Sequence, residues 1–184
     1  MKPTEFFHYS GCEINELRND FHDLHRQHCN IFGKPHGLWF SVEDYPEDMN
    51  WRTWCEAEEF RLECLKFRYR VKIRHNSDIL VLSSSEDIVG FSRKYAGNDP
   101  IDFKKYTQDF SRPDYIYIID WNKVMEDYDG IIIAPYQWSC RLMNPTTSWY
   151  YGWDCASGCI WNLDVIESLI LSNLPIEKTQ EMLV

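Results

Sequence analysis

Between Lys66 and Arg74 the chain alternates strictly in character: Arg68, Arg70, Lys72 and Arg74 are interleaved with Phe67, Tyr69, Val71 and Ile73. A period of two belongs to an extended strand with one buried face and one cationic, solvated face. The chain must therefore build a sheet that is covered on only one side at this strand. The same run, if it lined a groove, would offer a site for an anion such as a pyrophosphate; a solvated strand face is the plainer reading.

Other segments extend the pattern. Residues 6–10 (Phe-Phe-His-Tyr-Ser) and 37–42 (Gly-Leu-Trp-Phe-Ser-Val) read as short strands. Ile14, Leu17, Phe21, Leu24 and His28 recur at helical spacing, which predicts an amphipathic helix over 14–29, broken by Gly33-Lys34-Pro35. Asn50 or Thr53 caps a predicted helix carrying Trp54, Ala57, Phe60, Leu62 and Cys64. The strands 66–74 and 78–83 are joined by a turn at His75-Asn76-Ser77. A short helix over 86–96 follows, then a polar loop over 98–112 suited to covering a site. The remaining expectations are a strand over 115–119, a helical turn over 121–128, a strand over 131–133 and a Trp- and Tyr-rich loop over 136–156. A strand over 157–162 and a closing helix over 163–171 complete the chain. Short mixed strands with few helices argue for an α+β fold and against a doubly wound sheet.

The 184 residues fit a single domain spanning 1–184, with no repeat or linker to divide it. Aromatics make up 16% of the chain, and eight of them are tryptophans. Tryptophan is seldom wholly buried, so several rings are expected to line a cleft or a core edge. A net charge of −10 disfavours nucleic acid as a partner. Seven cysteines, an odd number at irregular spacings, suggest reduced thiols. No apolar run approaches the roughly 18 residues of a membrane span, and no signal-peptide pattern is present. These features predict a cytoplasmic location, in the producing cell or in a host cell if the chain is secreted.

The order of motifs then resembles the ADP-ribosyltransferase superfamily, in its His-Tyr-Glu-like branch of small effector, toxin and phage-type domains. Phe7-His8-Tyr9-Ser10 stands where that family carries its first histidine strand. Gly37-Leu38-Trp39-Phe40-Ser41 stands where a later strand supplies an aromatic, and Trp51-Arg52-Thr53-Trp54-Cys55 falls on the following helix. Gly158-Cys159-Ile160-Trp161-Asn162 matches the late strand. The resemblance implies a compact mixed-sheet fold, NAD as substrate and a macromolecular acceptor, more readily a protein. It implies that His8 bonds the adenosine ribose, that Tyr9 or Ser10 meets nicotinamide, and that Trp39 stacks on the pyridinium face. Gly37, Leu38 and Ser41 would complete that wall, with Trp54 on the helix beside it. Cleaving the glycosidic bond of NAD leaves an oxocarbenium-like ribose, so negative charge is needed beside it.

The family's glutamate at the start of the late strand is missing: Ser157 stands there. The nearest acid is Asp154, which with Ser157 would serve the chemistry; Asp129 is a second candidate. If no carboxylate reaches the cleft, the chain is expected to be an inactive relative that binds a protein through its Trp-rich loop. If water is the acceptor, the activity is that of an NAD glycohydrolase. Each residue also has a structural reading: His8 and Trp39 as core, Asp154 as a turn cap. Weaker alternatives are a metal held by His25 with Cys29 or by His22 with His25, a second half-site at Cys155 and Cys159, and a cysteine–histidine nucleophile. The chain has no Walker loop, Gly-x-Gly-x-x-Gly or Gly-x-Ser-x-Gly motif.

Overall fold

The alternating run forms a strand, Phe67–Ile73, in the computed structural model, which describes residues 3–17, 34–46, 48–97, 101–102, 115–116, 118–141 and 145–172. It belongs to a seven-stranded sheet built from β1 (Phe6–Ser10), β2 (Leu38–Val42), β3 (Phe67–Ile73), β4 (Ile79–Leu82), β7 (Gly130–Ile133), β8 (Ser157–Ile160) and β9 (Ile166–Leu171). The strand order is β4-β7-β8-β2-β1-β3-β9. Only β4 and β7 pair in parallel; the other neighbours are antiparallel. A separate ribbon pairs β5 (Ile101–Asp102) with β6 (Tyr115–Ile116). The architecture is mixed α+β with few, short helices, as the spacing of strand signals predicts.

The helices start where the sequence supplies caps. In α1 (Trp51–Ala57) the Asn50 side chain accepts from the Thr53 N–H, so Asn50, not Thr53, is the cap. A full capping box between Ser84 and Asp87 opens α2 (Ser85–Lys94), and Asp120 caps α3 (Trp121–Asp127). Of the helix expected over 14–29, residues 14–17 are not helical, and the Ile14 N–H is instead taken up by the Tyr69 hydroxyl at 2.9 Å. The remainder of that segment, and most of the 98–112 loop, lie outside the described residues.

The turn at 75–77 joins the two strands as expected, but they do not pair with each other: β3 pairs with β1 and β9, while β4 lies on the opposite edge. One expectation is corrected by strand pairing. The closing helix over 163–171 is a short 3₁₀ turn, Leu163–Val165, followed by strand β9, which completes the otherwise unpaired side of β3. The chain thus departs here from the family pattern of a late strand followed by a helix. The connection from β3 to β4 shows that the sheet curls. The six residue steps from Ile73 to Ile79 reach at most about 20 Å, whereas the five strand positions between β3 and β4 would cover about 24 Å if flat.

Burial differs along the sheet. β7 and β8 are buried at every position, so both of their faces are covered. Two glycines make this close packing possible. A Cβ on Gly158 would lie 2.4 Å from the Phe40 ring, and one on Gly37 would lie 2.3 Å from the Ile160 carbonyl oxygen. The Trp-rich loop is not an exposed loop. It holds a helical turn α4 (Trp138–Arg141) and a 3₁₀ segment Pro145–Gly152, and it buries Tyr136, Trp149, Tyr150 and Trp153 against α2 and the sheet.

Candidate functional site

The cavity opens where the ladder between β1 and β2 stops. These strands pair at Phe6 with Val42 and at Phe7 with Ser41. Past that point the Trp39 carbonyl meets His8 Nδ1 at 2.6 Å. A carbonyl only accepts, so Nδ1 carries the proton and Nε2 remains a bare acceptor in the neutral ring. On its other side β2 sets Ser41 opposite Ser157 and Trp39 opposite Cys159. Opposed residues share a face, so Phe7, Ser41 and Ser157 project together, with Tyr9 and Trp39 on that face two residues along.

That face forms the floor of a cavity of about 310 Å³. Six of the residues expected at the site line it: His8, Tyr9, Trp39, Ser41, Asp154 and Ser157. Phe7, Lys34, Phe40, Trp51, Arg61, Cys64 and Cys155 complete the wall. Four expected residues are not in the lining. The Ser10 hydroxyl turns back to the Cys12 carbonyl (2.7 Å), Gly37 packs against Ile160, and Leu38 lies in the core. Trp54 stacks at 5.2 Å behind Trp51, which takes the lining position instead. Asp129 lies outside the cavity as well; its carboxylate accepts from the Asp78 N–H and from the Asn162 amide.

Among the described residues Asp154 is the only carboxylate in the lining. Its two oxygens are divided between Arg141 (3.3 Å) and Lys34 (3.8 Å). Burial raises its pKa above the ordinary value, and the two cations oppose that rise. Burial lowers the Lys34 pKa, opposed chiefly by Asp154. The Lys34 ammonium also sits 5.1 Å above the Trp39 ring, whose Nε1–H is donated to the Pro35 carbonyl (3.2 Å). Trp153 packs on Trp39 at 4.8 Å, so one part of this ring is covered by aromatic contact and another by a cation. Burial lowers the His8 pKa and outweighs the Trp39 carbonyl, which keeps the imidazole neutral at neutral pH.

The hydroxyls are partly committed. Ser41 accepts from the Trp51 N–H (3.0 Å), which anchors the start of α1 to β2, and Ser157 donates to the Cys155 carbonyl (2.9 Å). Tyr9 donates to Glu43 (2.8 Å) and accepts from Arg68 (3.2 Å), and Arg68 also pairs with Glu43 at 2.6 Å. Arg68 lies 3.2 Å over the Phe7 ring and Arg70 pairs with Glu5 (2.8 Å). On the cationic face of β3, Arg68 and Arg70 are therefore matched with carboxylates, while Arg74 donates to the Asp164 backbone carbonyl at 3.0 Å. The Cys155 thiol is pushed up to about 12 by burial and stays protonated near neutrality, which removes it as a ready nucleophile.

Among the described residues no group of three or more His, Cys, Asp or Glu is arranged to hold a metal ion. His22, His25, His28 and Cys29 lie outside the described residues. Nor is any described helix long and apolar enough to cross a membrane. Sequence reasoning missed Lys34, Trp51, Arg61 and Arg141. Trp51 was visible as the partner of Trp54 one helical turn away, whereas Arg61 and Arg141 carry no spacing signal. No family model matches the chain, and searches of curated proteins and of solved structures found no match either.

Proposed function

We propose that the chain is an NAD-dependent ADP-ribosyltransferase that modifies a macromolecular target, in our reading a protein. The observation that carries this is the convergence of His8, Tyr9, Trp39, Ser41, Asp154 and Ser157, named from widely separated segments, in one cavity. His8 Nε2 would accept a ribose hydroxyl, its orientation fixed by the bond from Nδ1–H to the Trp39 carbonyl. The Lys34 ammonium occupies a position over Trp39 that a cationic pyridinium ring would also favour. Entry of that ring would push Lys34 away from Trp39 and towards Asp154. As nicotinamide leaves, positive charge grows on the ribose, and the Asp154 carboxylate is the anionic group in the lining able to face it.

The test is nicotinamide release and transfer of labelled ADP-ribose from NAD to protein. Wild-type protein should turn NAD over, and His8→Ala and Asp154→Ala should each abolish turnover with the fold retained by circular dichroism. Unchanged turnover in both variants would sink the assignment. Release of nicotinamide without labelled protein would make the activity an NAD glycohydrolase.

One observation favours a second reading, an inactive domain that binds a protein partner. Asp154 is held by two cations, which offset the negative charge the reaction needs. At the outer surface, Trp138 (54% exposed) and Tyr151 flank Arg141 at 5.8 and 5.4 Å, a combination common at interface hot spots. A thermal shift with NAD or nicotinamide supports the enzyme. No shift, with a partner recovered only when Trp138 and Tyr151 are intact, supports the binding module.

A further inference from the structure

The rings around α1 form a contiguous group that the core does not cover. Trp51 stacks on Trp54 at 5.2 Å, and Phe60 packs edge-on against both at 6.1 and 5.3 Å. The two tryptophans are half-buried, Phe60 is 42% exposed, and Leu62, two residues on, is 48% exposed. The backbone here is held out of its easiest conformation. Glu59 (φ 50°) and Arg61 (φ 48°) both lie in the left-handed region, and the Phe60 N–H is donated to the Cys55 carbonyl at 2.9 Å. This folds the chain back so that Phe60 reaches the tryptophans while staying open to water. Single apolar residues are ordinary on a surface, but a joined aromatic group left in water marks a docking site.

Acids surround this group. Glu58 and Glu59 precede Phe60 and Glu63 follows Leu62, all three exposed and none with a cationic partner among the described residues. Glu56, by contrast, is taken by Arg52 at 2.8 Å. Within 58–63 the one cation is Arg61. The patch borders the cavity, since Trp51, Arg61 and Cys64 belong to its lining. Burial is the first cause of the raised Asp154 pKa, and the negative charge of Glu58 adds to it, which places this acid near the cavity as well.

We infer that this patch docks a partner protein through a basic segment carrying an apolar anchor. The anchor sits on Trp54, Phe60 and Leu62, and flanking Lys or Arg side chains meet Glu58, Glu59 and Glu63. Charge decides against the other occupants. A second copy of a chain at −10 would bring the same acids to the same face and oppose like charges across a twofold interface. A nucleic acid or an anionic membrane is repelled in the same way. Covering the rings supplies affinity, and the opposed charges speed encounter and fix orientation. The inference does not rest on the NAD reading: it needs only the exposed rings and the acids around them.

The experiment is panning of a random peptide library displayed on phage against the immobilised wild-type chain, followed by fluorescence anisotropy with the enriched peptides. Those peptides should carry net positive charge and at least one aromatic or large aliphatic residue, and their affinity should fall as salt rises. Glu58→Lys with Glu63→Lys should weaken binding about tenfold or more, and Phe60→Ser with Leu62→Ser about as much. Glu58→Gln with Glu63→Gln, which removes charge and keeps shape, should give an intermediate loss. All four side chains are exposed, so each variant should keep the wild-type circular dichroism spectrum. Enriched peptides that are neutral or acidic, affinities equal in wild type and the variants, or no enrichment at all overturns the inference. Self-association in sedimentation velocity that Phe60→Ser with Leu62→Ser abolishes also overturns it, in favour of a second copy.

Discussion

The eight tryptophans divide into two contrasting groups, with Trp138 alone outside both. Trp121, Trp149, Trp153 and Trp161 pack against one another and against Phe91 on the β7–β8 side of the sheet, all within the core. Trp39, Trp51 and Trp54 are only half-buried, around the cavity on the β1–β2 side. The inner group exchanges nearly all of its surface for ring contacts and contributes to stability. The outer group keeps part of its surface exposed even though Trp39 packs on Trp153 and Trp51 stacks on Trp54, and that exposed part forgoes hydrophobic stabilisation. A composition rich in tryptophan is therefore divided between the core and the cavity side, and burial separates the two groups.

The largest effect should come from the inner group. Trp161 is buried and donates its Nε1–H to the Tyr128 carbonyl at 2.6 Å, while the equally buried Trp153 has an Nε1–H without a partner among the described residues. Trp161→Phe should cost about 2–4 kcal/mol by denaturant unfolding, from lost volume plus an unmet carbonyl. Trp153→Phe should cost about 1–3 kcal/mol less than that, because it removes an unsatisfied donor along with the volume. Equal losses would show that Trp153 does have a partner.

Next in size is Gly158→Ala. The added Cβ would meet the Phe40 ring at 2.4 Å, and overpacking of this kind costs about 1–3 kcal/mol. Because Phe40 also lines the cavity, the same variant should weaken ligand affinity. In the outer group, Trp51→Ala should shift stability by no more than about 1–2 kcal/mol while reducing NAD affinity severalfold. A loss of stability as large as that of Trp161→Phe would erase the distinction between the groups.

The smallest expected effect is a pH slope. Burial holds the His8 pKa in the folded state below its ordinary value of 6.5. The unfolded chain then binds more protons between the two values, so stability is full above pH 6.5 and declines as pH falls below it. Asp154 acts in the opposite direction at more acidic pH, since its raised pKa makes the folded state the better proton acceptor above its ordinary value of 3.8. His8→Gln should flatten the decline just below pH 6.5, read by thermal unfolding in buffers of equal ionic strength. A slope that survives the substitution assigns it to another group.

The strands were legible because their signals are local. The alternation at 67–73, the apolar run at 131–133 and the capped start of α1 each depend on residues within a few positions of one another. The failure at 163–171 was of the same kind. Leu163, Val165 and Ile166 fit a helix face or a strand, and only the vacant edge of β3 decided between them. His8, Trp39 and Asp154 could be named from their motifs, but not what each would face. Lys34 reaches Asp154 across 120 positions and Arg141 approaches it from a segment whose pattern reads as loop.

Local periodicity and capping chemistry thus determined most elements and the aromatic-rich α+β character of this protein. Tertiary structure decided which tryptophans were spent on the core, placed Arg61 at the cavity and set two cations, Lys34 and Arg141, on Asp154 in its lining. The reason is physical. Hydrogen-bond periodicity acts over a few residues, whereas burial and electrostatics act through space between segments that the curled sheet brings together.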